Sequence, residues 1–427
     1  MQSPFDLLAL LLVLAAIFGY LNQRLFHLPL TVGLLLIALL STMALIAADA
    51  AAPHLGLRLA IRRLLAGVNF PVALLNGFLS FLLFAGALEV DFAELFARKW
   101  TVLALATFGT VLSTALIAGV LLGVSAMLGI GIPLAWCLVF GALISPTDPV
   151  AVLLVLRRVG IPQYLQAIIA GESLFNDGIA VVLFTLLLSL ATGSGDHAQG
   201  PLGIAGQFLL SAVGGGVLGL VLGYAAFLLI RGVDDYNVEL IISLALVTGT
   251  YSLAGTLNVS GPVAVVVAGI LMGNHGMQHA MSEPTRQHLK TFWLLVDDTL
   301  NALLFLLIGL EIAAIDLAWR ALAAAAVMIP VVLAARWLSV TASALPLNLR
   351  LPGRFGSFLV LTWGGLRGGI SVALALALPP TIYKDTMLTI AYGIVVFAIV
   401  VQGLTLEWMA RRALPALPAA AAGAAEN

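Results

Sequence analysis

Charge is what this sequence has least of. Charged residues are 9% of its 427 positions, against the roughly 25% of ordinary soluble domains. So few cannot cover a water-facing surface of this size, which excludes a soluble globular protein. Charge of one sign is lacking too. The formal net charge is −1, so there is no basic face and no nucleic-acid partner is expected. A single cysteine, Cys137, excludes any internal disulfide, and its apolar surroundings suit a small buried hydrophobe. No basic residue precedes the first apolar run, Phe5 to Leu21; Arg24 follows it. That order is wrong for a cleavable signal peptide and suits an uncleaved first helix with its N-terminus outside. Catalytic patterns are missing as well: there is no HExxH, no paired aspartate and no nucleophile elbow. His27, His54, His197, His275, His279 and His288 all fall in or beside loops. An intramembrane enzyme is therefore the weakest reading, and no cofactor is expected.

What is present is apolar length. Hydrophobic residues make up 62% of the chain. A helix needs roughly 20 apolar residues to cross a bilayer. That ruler predicts an all-α polytopic membrane protein of about 13 transmembrane helices, with the lipid bilayer as its partner. The spans lie near 5–22, 28–48, 69–88, 101–127, 134–156, 164–191, 203–230, 238–256, 260–273, 292–312, 317–340, 356–378 and 386–409. The whole chain, 1–427, reads as one membrane transport domain. Spans 1–6 cover about 5–191, a connecting span about 203–230, and spans 8–13 about 238–409, with a short C-terminal tail at 413–427.

Loop charges test that count. With the N-terminus outside, the cytoplasmic loops hold Arg24, Arg98, Lys99, Arg157, Arg158, Arg231, Arg286, Lys290, Arg350, Arg354, Arg411 and Arg412. The opposite side holds Arg58, Arg62, Arg63, Arg320 and Lys384. Twelve against five fits the positive-inside rule and puts the C-terminus in the cytoplasm. The Arg58–Arg63 cluster reads as part of a helix lying on the membrane surface.

Four ionisable residues lie deep inside otherwise apolar spans: Asp148, Glu172, Asp177 and Arg367. Each costs at least about 2.5–3.5 kcal/mol on insertion scales and so needs a partner, an ion or a proton. The plain structural reading is helix-to-helix ion pairing, which suits Glu172 and Arg367 best. In the fifth span, Ser145-Pro146-Thr147-Asp148-Pro149 has two prolines three residues apart, which removes two backbone donors and disfavours helix before each. This stretch is expected to be unwound, with freed carbonyls and the Thr147 hydroxyl able to coordinate a cation. Asp148 can compensate the positive end of the half-helix that restarts after Pro149. In the sixth span, Ser173 and Asp177 share one helical face at i,i+4, and Glu172 and Asn176 form the adjacent pair. A hydroxyl and a carboxylate on one stripe make an all-oxygen site for a hard cation. In the twelfth span, Gly364-Gly365-Leu366-Arg367-Gly368-Gly369 surrounds one arginine with four glycines, which weakens the helix or lets another chain approach closely. Interrupted helices in corresponding positions of two halves point to a transporter site.

Taken together, Ser145 to Pro149, Gly171 to Asp177 and Gly364 to Gly369 resemble the monovalent cation:proton antiporters of the NhaP and sodium/proton exchanger type. The resemblance extends to Phe292-Trp293 and to the tenth-span run from Leu300 to Gly309. It implies two inverted six-helix repeats with crossed, interrupted helices. Spans 4–6 and 11–13 would be a moving core on a dimerising scaffold, so a homodimer. Asp177 would then carry either the cation or the proton, supported by Asn176, with Thr147 and Ser173 as ligands of a transported monovalent cation. Asp148 would offset helix ends at the crossing, and Glu172 would pair with Arg367. One departure stands out: Ala85 occupies the region of the third span where many relatives carry a glutamate. The expected activity is exchange of Na⁺, or Li⁺ or K⁺, for H⁺, one for one and electroneutral, because Asn176 is uncharged. A K⁺-selective antiporter is the nearer alternative, and a channel fits buried charges on broken helices less well. The absence of a long cytoplasmic tail suggests a bacterial inner membrane.

Overall fold

The computed structural model describes residues 4–52, 77–148, 150–193, 201–277, 280–312, 318–344 and 354–414. The Arg58–Arg63 cluster and the first part of the third span therefore lie outside the described residues.

Among the described residues every regular element is helical. In chain order they are α1 (Pro4–Leu21), α2 (Leu30–Ala51), α3 (Leu79–Leu88), α4 (Phe92–Ala97), α5 (Lys99–Ala104), α6 (Thr110–Met127), α7 (Leu134–Ile144), α8 (Val150–Val159) and α9 (Gln163–Thr192). There follow α10 (Pro201–Arg231), α11 (Tyr236–Thr256), α12 (Gly261–Leu271), α13 (Glu283–Glu311), α14 (Trp319–Ala344), α15 (Arg354–Trp363), α16 (Gly369–Leu376), α17 (Lys384–Phe397) and α18 (Gly403–Ala413). Helix occupies each stretch expected to span. Nine among the described residues are long and apolar enough to cross a membrane unaided. The other four have visible reasons. The third span is described only in part, the ninth is short, and the fifth and twelfth are each split into α7 with α8 and α15 with α16.

Local chemistry sets several of these ends. Asp235 caps α11 by accepting hydrogen bonds from the backbone N–H of Asn237 and Val238 at 2.8 and 3.4 Å. Ser260 does the same for α12, with Pro262 in the first turn where a missing N–H costs nothing. Gly193 ends α9 at φ 71°, the left-handed conformation that favours glycine. A short π-helical turn, Leu105–Gly109, joins α5 to α6 and sets the register of Thr110. The helix α4 was not expected from sequence. Asp91 caps it, accepting from Ala93 at 2.8 Å.

The two largest bodies of packed side chains among the described residues organise the bundle. One surrounds α7 and α16, drawing in α6, α14 and α17, and buries Phe140, Leu143, Val372 and Met328. Cys137 sits within it, its thiol directed to the carbonyl of Ile132. The other combines α3, α10, α11 and α12 around Phe84, Val266 and Trp293. The long helix α13 serves both: its first half gives Leu289 and Trp293 to the second body, its last half Leu304, Phe305 and Ile308 to the first. Trp293 is fixed there by a 3.1 Å hydrogen bond from its indole N–H to Ser243 Oγ and by the rings of Phe81 and Phe84.

Glycine matters most where α7 meets α6. A methyl group on Gly141 would be driven into the backbone carbonyl of Thr114, which has no flexible end to yield. Gly141→Ala should therefore cost about 1–3 kcal/mol of overpacking strain. The expected readout is a lower melting temperature of the detergent-solubilised protein. A melting curve identical to that of the unsubstituted protein would show that the two helices can separate freely.

Candidate functional site

The fifth span breaks where the prolines dictate. Helix α7 stops at Ile144, residues Ser145 to Asp148 are irregular, and α8 restarts at Val150. In the twelfth span Gly364 to Gly368 separate α15 from α16. The two breaks touch: the backbone N–H of Asp148 donates to the carbonyl of Leu366 at 2.8 Å. Arg367 donates through Nη1 to the carbonyls of Ser145 and, at 3.1 Å, Pro146. Those carbonyls stand at the open, electronegative end of α7. Conversely, Gly368 precedes the first turn of α16, and a Cβ there would lie 2.5 Å from Asp148 Oδ2. The Asp148 carboxylate thus occupies the electropositive end of α16, where an anion is favoured. Each broken helix takes its compensating charge from the other.

Asp177 stands on α9 facing this crossing. It is 4% exposed, and its Oδ1 has no hydrogen-bond partner. The Thr147 backbone N–H reaches its carboxyl group. Thr147 Oγ1 and Ser173 Oγ are 3.0 Å apart, bringing the two hydroxyls singled out in the sequence together beside it. Asn176 is committed elsewhere. Its Nδ2 donates to the Ser145 carbonyl at 3.1 Å and approaches Thr147 Oγ1 at 3.4 Å. Its Oδ1 lies 2.6 Å from the hydroxyl of Thr110, which is also 2.6 Å from the Ala106 carbonyl, so one hydroxyl proton serves two acceptors. Asn176 is therefore a brace between α9, α6 and the irregular stretch. Ser145 adds a second brace, 3.1 Å from Thr114 Oγ1.

One expected pairing is corrected. Glu172 does not pair with Arg367; it is bound at both carboxylate oxygens by Arg336 of α14, with 2.7 Å from Nη2 to Oε2. Arg336 Nη2 also donates to the Leu361 carbonyl at 3.1 Å. A two-pronged guanidinium–carboxylate pair satisfies both groups, whereas Arg367 is spent on carbonyls. Gly365 is where Arg336 passes the second break: a Cβ there would lie 2.6 Å from Arg336 Nε. The glycines of the twelfth span thus make room for charged side chains as well as for backbone.

A cavity of about 60 Å³ lies against Asp177. By this measure a water needs roughly 10–15 Å³, so the space suits a cation with some of its waters. Thr147, Asp148 and Asp177 line it on one side, Asp297 and Asn301 of α13 on another, and Leu82, Leu83 and Gly86 of α3 on a third. Ala85 is buried within the second packed body and does not line the cavity. Glu89 is half exposed and paired with Arg157 at 3.1 Å. Sequence reasoning missed Thr110, Arg336 and Asp297 as members of this region. Asp297 had the clearest signal, an acid on the same helical face as Asn301 of the quoted tenth-span run.

The Glu172–Arg336 pair makes a testable demand. Arg336→Gln strands a buried carboxylate and should cost about 3–5 kcal/mol, whereas removing both charges is far milder. Thermal melts in detergent should show Arg336→Gln well below the parent, with Glu172→Gln/Arg336→Gln recovering much of the loss. A single variant as stable as the parent would make the pair irrelevant to folding.

Comparison with known proteins points to one family. Residues 10–412 match the family model described as sodium/hydrogen exchanger, transmembrane. The chain is 42% identical over 417 residues to the Na(+)/H(+) antiporter NhaP of Pseudomonas aeruginosa, covering 95% of this chain and 96% of that one. It is 40% identical over 347 residues to the Na(+)/H(+) antiporter NhaH of Halobacillus dabanensis, covering 79% and 82%. Among solved structures, the sodium proton antiporter MjNhaP1 of Methanocaldococcus jannaschii superposes with a TM-score of 0.73 at 22% identity, over 96% of this chain and 99% of that one, a likeness of fold. With the family model spanning nearly its whole length, this chain belongs to the sodium/hydrogen exchanger family, a family of membrane transporters and not of enzymes.

Proposed function

We propose that the protein exchanges Na⁺ for H⁺ across a membrane, one for one, with Asp177 as the shared site. The observation that carries this reading is the unpartnered Oδ1 of Asp177, buried at a break in the bundle beside two hydroxyl oxygens. A bare carboxylate at such depth is expensive, at least about 2.5 kcal/mol on insertion scales. A bound proton or a bound cation removes the charge, and the two compete for the same oxygens. A site that crosses the low-dielectric barrier only when occupied couples the two fluxes. Thr147 and Ser173 supply further oxygens, and one carboxylate with two hydroxyls suits a singly charged hard cation. Asp148 and Arg367 hold the half-helices in place around it, and the Glu172–Arg336 pair ties α9 to α14.

The same reading gives the architecture its motion. Spans 1–6 and 8–13 are two inverted repeats joined by the seventh. The body built on α6, α7, α9, α14, α16 and α17 moves against the body of α3, α10, α11 and α12, the cavity lying at their seam. The unit is a homodimer in a bacterial inner membrane, N-terminus outside and C-terminus cytoplasmic, as the loop charges favour.

Two experiments test it. In everted vesicles carrying a pH-sensitive dye, Na⁺, Li⁺ and K⁺ are added in turn. Na⁺ should collapse the proton gradient, and Asp177→Asn should abolish the response while the protein still inserts and keeps its oligomeric state. Exchange by Asp177→Asn near the parent rate would remove Asp177 from the mechanism, and a response to K⁺ alone would make the protein K⁺-selective. Reconstituted in liposomes under an imposed potential, the exchange rate should not change, because Asn176 is neutral and already hydrogen-bonded. A clear dependence on voltage would overturn the one-for-one stoichiometry.

A further inference from the structure

The cavity beside Asp177 has a polar wall that the mechanism above does not use. Asp297 and Asn301 are one turn apart on α13 and line the cavity together. The facing wall from α3 contributes only Leu82, Leu83 and Gly86, none of which can bind an ion. Asn301 is 4% exposed and its side chain leans on the Asp297 carboxylate, but the contact falls short of a full hydrogen bond, so Asn301 Nδ2 and the buried Asp297 Oδ1 have no well-formed partner. Buried polar atoms are almost always fully hydrogen-bonded, so a carboxylate oxygen at a cavity wall with only this loose amide contact has room for a partner that comes and goes. The charged groups acting on Asp297 are all carboxylates: Asp148, Asp298 and the half-exposed Glu89. It therefore has the surroundings of an acid that attracts a cation. Asp177 shares Asp148 with this set but otherwise feels Glu172 and Arg367, and the two acids face the cavity from different helices, α9 and α13.

We propose that Asp297 and Asn301 form a second binding station for the transported monovalent cation, between the Glu89 end of the bundle and Asp177. The Asp297 carboxylate and the Asn301 side-chain carbonyl replace part of the ion's water before it reaches Asp177. The station belongs to α13, which packs against both bodies and is not among the helices assigned to the moving one, so it concentrates the cation at the seam. That division separates capture from transport. Asp297 sets how much Na⁺ is needed, and Asp177 sets whether exchange occurs at all. The inference rests on the antiport reading, and its test distinguishes the two.

The experiment measures exchange against Na⁺ concentration in everted vesicles for the parent, Asp297→Asn, Asp297→Glu and Asn301→Ala. Asp297→Asn should raise the half-saturating Na⁺ concentration by about tenfold with little loss of maximal rate, the pattern of lost binding in advance of the limiting step. Asn301→Ala should raise it less, and Asp297→Glu, which keeps the charge but moves it, should fall between the parent and Asp297→Asn. In parallel, the Na⁺ concentration that raises the melting temperature of the purified protein should shift upward in Asp297→Asn, a readout independent of turnover. An unchanged half-saturation and an unchanged Na⁺ dependence of melting would overturn the second station. So would a fall in maximal rate alone, which would make Asp297 part of a conformational step. If Asp177→Asn still exchanges ions, the antiport reading fails; if only Asp297→Asn is indistinguishable from the parent, the second station alone fails.

Discussion

Two helices interrupted at mid-membrane leave backbone ends that lipid cannot satisfy, and everything else around the site follows from how those ends are compensated. In the hydrocarbon region, irregular backbone survives only against protein or water. Here the C-terminal end of α7 receives the Arg367 guanidinium, and the N-terminal end of α16 receives the Asp148 carboxylate. A backbone hydrogen bond from Asp148 to Leu366 locks the crossing. With the ends satisfied mutually, Thr147 is free to turn its hydroxyl toward Ser173, and Asp177 is left beside it with an open oxygen. Had Asp177 been the group that capped a helix end, it could not have been available to an ion.

The surrounding braces serve the same geometry. Asn176 ties three elements, Ser145 is held from α6, and the Glu172–Arg336 pair clamps α9 against α14 next to the second break. Glycines admit these contacts. Gly141 lets α6 and α7 meet backbone to backbone, while Gly365 and Gly368 leave room for Arg336 and Asp148. Such close packing favours two discrete arrangements over continuous deformation, which is what exchange between two sides of a membrane requires.

Much of this was legible in the sequence because proline, glycine and charge are conspicuous in an apolar chain. The breaks and the unwound Ser145–Asp148 stretch follow from residues whose local preferences conflict with an uninterrupted helix, whereas Ser173 and Asp177 share a face of the unbroken α9 by their spacing. The partner of Glu172 was not legible. Arg336 sits 164 residues away in an alanine-rich helix, and nothing in spacing chooses it over Arg367, which is also buried and equally basic. Thr110 was hidden for another reason: a threonine in a membrane helix is ordinary, and only the π-helical turn before it sets its register toward Asn176. Asp297 fell near the expected start of a span, where acids are common, although α13 in fact begins at Glu283 and carries it well inside.

The mutual capping of the two breaks also has a consequence in time. Arg367 is 222 residues beyond Ser145, and a ribosome adds roughly 5–20 residues per second, so the wait between them is on the order of ten to forty seconds. During that interval the first interrupted helix is in the bilayer with its carbonyls and its aspartate uncapped. It must shelter against earlier helices, against water or within the insertion machinery until the second arrives. Biogenesis of this bundle therefore cannot be a sum of independently stable hairpins, and the crossing is among the last features to form.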